Sequence, residues 1–163
     1  MYNYKTIIKL KLKDMNNKQI LHDWVAKVWN HTDSKTNIDA IHQLFAEEGI
    51  AYGVHNADGT VVKGPKQFEE YFRTFTDSFK DVEMVIEDMI AEDDKVSSRC
   101  KLSMTHSGKP FSTGTPNPIA PSGKRIEITG ITFVRIEDGK VVEAWNQFDF
   151  LSMFMQLGAI QML

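Results

Sequence analysis

The sequence has a single cysteine, Cys100, among 163 residues. No internal disulfide is available, and neither a CxxC pair nor a Cys/His zinc spacing occurs. A reducing, cytoplasmic setting is expected. Apolar runs long enough to cross a bilayer are missing, and the lysines scattered through MYNYKTIIKLKLKD suit neither a membrane span nor a signal peptide. No membrane partner is expected. Arginine-rich runs are also lacking, and 19 Lys+Arg against 22 Asp+Glu leave a net charge of −3, which offers no track for a phosphate backbone. Nucleic acid is not expected as a partner. The glycines form neither G-x-G-x-x-G nor a P-loop, so nucleotide cofactors receive no support. His22, His31 and His42 fall off the apolar stripes and form no i, i+4 pair with a nearby carboxylate, so no metal site is expected. Internal repeats and low-complexity tracts are absent.

What is present is the composition of a folded domain: 42% hydrophobic residues, 25% charged, and 10 Phe. From Tyr4 to Leu12 apolar residues alternate with lysines, which reads as an edge strand or as an unpaired extension before Met15. Residues 1–14 are therefore set apart from one domain over 15–163. Ile20, Leu21, Trp24, Val25, Val28 and Trp29 make one helical stripe, predicting a helix from about Lys18 to Asn30. A second helix is predicted from Ile38 to Glu47, capped by Asn37 or Thr36 and stopped by Gly49, followed by a short strand from Ile50 to His55. Gly64-Pro65 opens a third helix, whose stripe of Phe68, Tyr71, Phe72 and Phe75, continued at Phe79, reads as core or cavity wall. Strands follow over Asp81–Ala91, Val96–Ser107, Arg125–Glu137 and Lys140–Phe148. Four of the five prolines, Pro110, Pro116, Pro118 and Pro121, mark the segment between the second and third of these as a loop. Three helices followed by long antiparallel strands predict an α+β fold with the helices against one face of a curved sheet.

Strand parity identifies polar residues that face inward. Val96, Ser98, Cys100, Leu102, Met104 and His106 share one side, so His106 faces with an apolar set. It is either a buried neutral histidine satisfied by a carbonyl or part of a site. Trp145, Gln147 and Asp149 share parity in the last strand and read as a pocket wall. Asp149 also precedes the apolar helical run Phe150–Leu157, an N-cap position; cap and general base both fit, and one residue can do both. His55 ends a strand, where it lines a cavity or meets solvent. Cys100 has no helix terminus or base beside it in sequence and reads as a small hydrophobe.

Ordered pieces of the chain resemble the SnoaL-like polyketide cyclase, or predicted ester cyclase, family of the nuclear-transport-factor-2-like superfamily. They are Gly64-Pro65, Phe79-Lys80-Asp81-Val82, Ile90 to Val96, Thr105-His106-Ser107-Gly108, Ser122 to Arg125, Glu137 to Glu143, and Trp145 to Asp149 leading into Gln156-Leu157-Gly158. The resemblance covers about Met15 to Leu163. It implies a cone, a bent antiparallel sheet around three N-terminal helices with an apolar cavity, commonly a homodimer through the sheet. It also implies intramolecular aldol ring closure of a hydrophobic carbonyl compound without metal or cofactor. Asp149 maps onto the acid/base carboxylate and His106 onto the histidine of the Thr-His-x-Gly segment. Trp145, Gln147, Trp29, Phe68, Phe72, Met104 and His55 are the expected substrate-binding wall. Two other readings fit the same cone: an isomerase, dehydratase or epoxide hydrolase, and a non-catalytic module that binds a small molecule or dimerises. The chain departs from the family pattern in the Tyr4–Leu12 segment and in a longer Pro-rich stretch, Phe111 to Pro121.

Overall fold

The computed structural model describes residues 4–56, 58–112 and 117–160. The first three residues of the expected extension over 1–14, and part of the Pro-rich loop, 113–116, lie outside them. The chain runs through α1 (Tyr4–Trp24), a π-helical turn (Val25–Trp29), α2 (Ser34–Leu44), β1 (Phe45–His55), β2 (Val61–Lys63) and α3 (Gly64–Ser78). Then follow β3 (Phe79–Glu92), β4 (Lys95–His106), β5 (Arg125–Glu137), β6 (Lys140–Phe148) and α4 (Phe150–Leu157).

The segment read as an edge strand or loose extension is helical instead: α1 begins at Tyr4 and continues unbroken to Trp24. Its first half leaves Ile8, Leu10, Leu12 and Met15 exposed. With no buried face to set a 3.6-residue period there, the lysine alternation imitated a strand. Asn17 ties the second half to the sheet, its Nδ2 donating to the Asp93 carbonyl at 2.8 Å. At the end of α1 the chain widens into the π turn, where the Asn30 N–H donates to Val25 O at 3.0 Å. An α-helix would point residues five apart roughly 140° away from each other; the wider turn lets Trp24 and Trp29 line one cavity.

α2 starts at Ser34, earlier than predicted, because Asp33 is the cap: its carboxylate accepts from Thr36 N at 2.8 Å. Asn37, the expected cap, is buried, and its Nδ2 lies 3.0 Å from the carbonyl oxygens of Lys27, Val28 and His31. It therefore satisfies the last turn of the preceding helix. α3 begins at Gly64-Pro65 as predicted and buries Phe68, Phe72 and Phe75.

The six strands form one curved, unclosed sheet in the order β2-β1-β6-β5-β4-β3. The α+β class holds, with one correction: β1 pairs with β6 in parallel, so the sheet is mixed rather than antiparallel throughout. The helical run expected after Asp149 is α4, Phe150–Leu157. β5 and β6 keep their predicted ends, whereas β3 and β4 shift by a residue or two. At Gly53 the backbone has φ +80°, and a Cβ there would lie 1.9 Å from the Asn146 carbonyl oxygen. Glycine is thus what lets β1 lie against β6 at this point. No helix among the described residues is long and apolar enough to cross a membrane.

Two groups of buried side chains fill the concave side. One gathers Leu21, Val28, Ile41, Phe45, Phe68 and Val134. The other gathers Phe75, Phe79, Leu102, Phe111, Ile126 and Met153 toward the loop end.

Candidate functional site

Between these two groups the packing leaves an internal cavity of about 70 Å³. Helical residues Leu21, Trp24, Val25, Trp29, Phe68 and Phe75 form one wall. Strand residues Phe45, Met84, Leu102, Val134, Ala144 and Phe148 form the other. Phe148 reaches over β5 because its partner there is Gly130, where any Cβ would come within 2.4 Å of the phenylalanine ring.

A larger groove of about 1070 Å³ adjoins the cavity and is lined by His55, Asn56, Asp58, Gln67, Glu70 and Thr74, with Phe111 and Ser112 from the Pro-rich loop. Cavity and groove share four residues, Val54, Tyr71, Phe75 and Phe150, which make the neck between them.

Among the described residues, the cavity lining contains no Asp, Glu, His, Lys or Arg. Its polarity comes chiefly from hydroxyl, thiol and amide groups. Ser98, Thr132 and Asn146 are direct cross-strand neighbours on β4, β5 and β6, so they form a polar row across an otherwise apolar sheet face. Asn146 Nδ2 donates to the Tyr52 carbonyl at 3.0 Å, Thr132 Oγ1 donates to Asn146 Oδ1 at 3.5 Å, and Ser98 Oγ lies 3.4 Å from Cys100 Sγ. Burial pushes the Cys100 thiol and the Tyr71 phenol up from their ordinary values, so both stay protonated at neutral pH. Such a site solvates neutral molecules and opposes ions.

The predicted site residues separate into three groups. Trp29 and Phe68 line the cavity and His55 lines the groove. Phe72 and Met104 are buried in the core and do not line the cavity; Phe72 packs edge-on against Trp29 with centroids 5.5 Å apart.

Trp145 and Gln147 lie on the outer face, a correction to the expected pocket wall. Trp145 stacks on Tyr52 at 5.4 Å and meets Phe133 edge-on at 5.6 Å. A bulge in β6 reverses the phase: Arg135 pairs with Glu143 but Ile136 pairs with Val141, so Val141 and Ala144 are both buried. Asn146 and Phe148 take the inward positions that unbroken alternation gives to Trp145 and Gln147.

Asp149 is exposed and caps α4, with Oδ1 accepting from Ser152 N at 2.8 Å. It sits between Phe148 and Phe150, which both line the cavity, without itself belonging to the lining. His106 does face inward with Leu102 and Met104, as parity predicts, but lines neither cavity nor groove. Its ring lies 5.1 Å from that of Phe79. Both ring nitrogens are buried without a hydrogen-bond partner among the described residues, so the carbonyl expected to satisfy one of them is not there. Neither member of the expected acid/base pair, Asp149 or His106, belongs to the cavity or groove lining. Tyr71 and Phe75 are visible in the aromatic stripe of the sequence and Trp24 in the first helical stripe, whereas the polar row is not, because cross-strand register is invisible within one strand.

The profile of the SnoaL-like polyketide cyclase family matches residues 19–157. No curated protein matches the sequence significantly. Among solved structures, a candidate SnoaL-like polyketide cyclase from Jannaschia sp. CCS1 is similar with a TM-score of 0.76 at 19% identity, covering 91% of this chain and 96% of that one. TsrD from Streptomyces laurentii gives 0.70 at 20% identity, covering 90% and 97%. IdmH, a candidate polyketide cyclase from Streptomyces antibioticus, gives 0.64 at 22% identity, covering 84% and 97%. These likenesses establish the shared fold.

His106 makes stability depend on pH in a defined direction. Burial holds its pKa below the ordinary 6.5, so below that value the unfolded chain binds a proton that the folded one refuses. Its neutral form supports the fold fully above pH 6.5, and stability falls as the pH drops from there toward the lower folded value. Carboxylates held low by hydrogen bonds, such as Asp77 beside Lys109, act at more acidic pH. The melting temperature should therefore fall between pH 7.5 and 5.5, and His106→Leu should flatten most of that slope; an unchanged slope in the variant would assign it to other groups.

Proposed function

Because the chain belongs to the SnoaL-like polyketide cyclase family, we propose that it is a cofactor-independent acid/base enzyme that closes a ring in a hydrophobic carbonyl compound by intramolecular aldol addition. The observation that carries this reading is the apolar, uncharged cavity opening through a neck into a roomier polar groove. A carbon between two carbonyls is acidic enough for a carboxylate to take its proton. Asp149 fills this role in the proposal. Its capping bond uses Oδ1, and releasing a cap costs about 1 kcal/mol, a small fraction of a catalytic barrier. The proton passes from carbon to Asp149, the enolate carbon bonds to the second carbonyl carbon, and Asp149 returns the proton to the new alkoxide. Cavity and groove walls supply proximity by folding the chain of the substrate on itself. His106, outside both linings, is given no contact with substrate.

One observation favours a second reading, a binding module without chemistry: among the described residues, the one carboxylate flanked in sequence on both sides by cavity residues is already engaged as a helix cap. Asp149→Asn separates the two, because asparagine caps as well as aspartate but is no base. In deuterated water, wild-type protein with a panel of 1,3-dicarbonyl and aromatic polyketide esters should show exchange and ring closure by NMR, and Asp149→Asn should slow exchange at least ~100-fold. Exchange within a few fold of wild type in the variant would remove Asp149 from the mechanism. Ligand binding without any exchange would favour the module.

We also propose a homodimer through the outer face of the sheet. Tyr52, Trp145 and Phe133 are cross-strand neighbours on β1, β6 and β5, with Ile131 beside them, and Ile131, Phe133 and Trp145 are exposed. An aromatic patch bordered by the Arg135–Glu143 ion pair suits a self-complementary two-fold contact. Light scattering should give twice the mass of the chain at micromolar concentration, and Trp145→Asp should halve it; a monomeric wild type would contradict the dimer.

A further inference from the structure

Of the four residues shared by cavity and groove, Val54, Phe75 and Phe150 are apolar, so Tyr71 alone gives the neck a polar side-chain group. Tyr71 belongs to the α3 stripe whose other members, Phe68, Phe72 and Phe75, are buried hydrocarbon, whereas Tyr71 is half-buried because it borders both spaces. Its ring is held by packing against Phe68 at 5.8 Å and Phe75 at 6.2 Å. Its hydroxyl makes no hydrogen bond among the described residues. On the facing sheet, Ser98, Thr132 and Asn146 each have a partner. A phenol kept protonated by burial carries one strong donor, and a donor left unpaired beside an apolar cavity costs free energy that an acceptor on a ligand would recover.

We propose that Tyr71 donates its hydroxyl hydrogen to a carbonyl oxygen of an uncharged ligand lying across the neck, with a small apolar end in the cavity and the larger part in the groove. This deepens the preceding reading and rests on it in taking a carbonyl compound as ligand. The dimensions set the division. The cavity of about 70 Å³ is smaller than the ~150 Å³ that accommodates benzene, so it accepts a methyl or short alkyl end and not a ring. The groove is large enough for a fused aromatic system. No cation lines the cavity or the neck, so a ketone or ester is favoured over the corresponding carboxylate. Tyr71 thereby fixes which carbonyl of a polycarbonyl substrate sits at the neck, and so which carbon is presented for proton transfer.

Two shape-matched probes isolate the hydrogen bond: 2-acetylnaphthalene and 2-isopropenylnaphthalene, which differ in having C=O or C=CH₂ at the same place. By equilibrium dialysis, Tyr71→Phe should weaken the ketone about tenfold and leave the alkene within twofold, the alkene serving as the control that the cavity persists. Equal losses for both probes, no change in either, or no binding of the ketone to wild type would overturn the proposal. Infrared spectroscopy of ¹³C=O-labelled ketone gives a reading on wild-type protein alone. The carbonyl stretch should move to lower frequency on binding, and an unshifted band would equally refute the bond. Ketone preference without proton exchange would sink the catalytic reading and leave this one standing; proton exchange with ketone affinity unaltered in Tyr71→Phe would do the reverse.

Discussion

Aromatic rings hold the helices against the sheet, and their stiffness decides the shape of the interior. Trp24, Phe45 and Phe68 meet one another at 5.0–6.1 Å with tilted or edge-on planes, and Trp29 meets Phe72 and Phe75 edge-on at 5.5 and 5.8 Å. Flexible aliphatic chains would settle into the remaining space, but rings in this geometry keep their distance and brace one another. The π turn belongs to the same constraint, since it lets both tryptophans border the cavity. The void between the two core groups follows from how these rings pack.

Burial then governs the chemistry. Burial pushes three groups toward their neutral forms: the Cys100 thiol and the Tyr71 phenol upward, the His106 imidazole downward. Charged side chains pair across neighbouring strands, as in Arg99–Glu87 and Lys101–Glu127. A space so lined discriminates by shape and by single hydrogen bonds rather than by charge. Asp149 stands outside that lining, at the junction where β6 passes into α4 and between two cavity-lining phenylalanines.

The fold was largely legible because its elements carry their own signals: Gly64-Pro65 opening α3 and the inward parity of Val96 to His106 both hold in the structure. What escaped the sequence depends on contacts that a single segment does not encode. The parallel pairing of β1 with β6 needs two strands far apart in the chain. The bulge at Val141–Glu143 turns Trp145 outward and Asn146 inward, and nothing in the local sequence marks an extra residue there. The lysine-rich start hides its helix because residues 8–13 are exposed and so show no burial period. Asn37 looked like a cap and is one, but for the helix before it.

The account turns on where a neutral hydrophobic molecule binds. Methionine methyl NMR reads this directly, because Met84 lines the cavity while Met15 and Met155 are exposed elsewhere. Titration of methyl-¹³C-methionine protein with 2-acetylnaphthalene should shift the Met84 signal saturably and leave Met15 and Met155 in place. A still Met84 signal, with shifts confined to the exposed methionines, would contradict the cavity as the binding site.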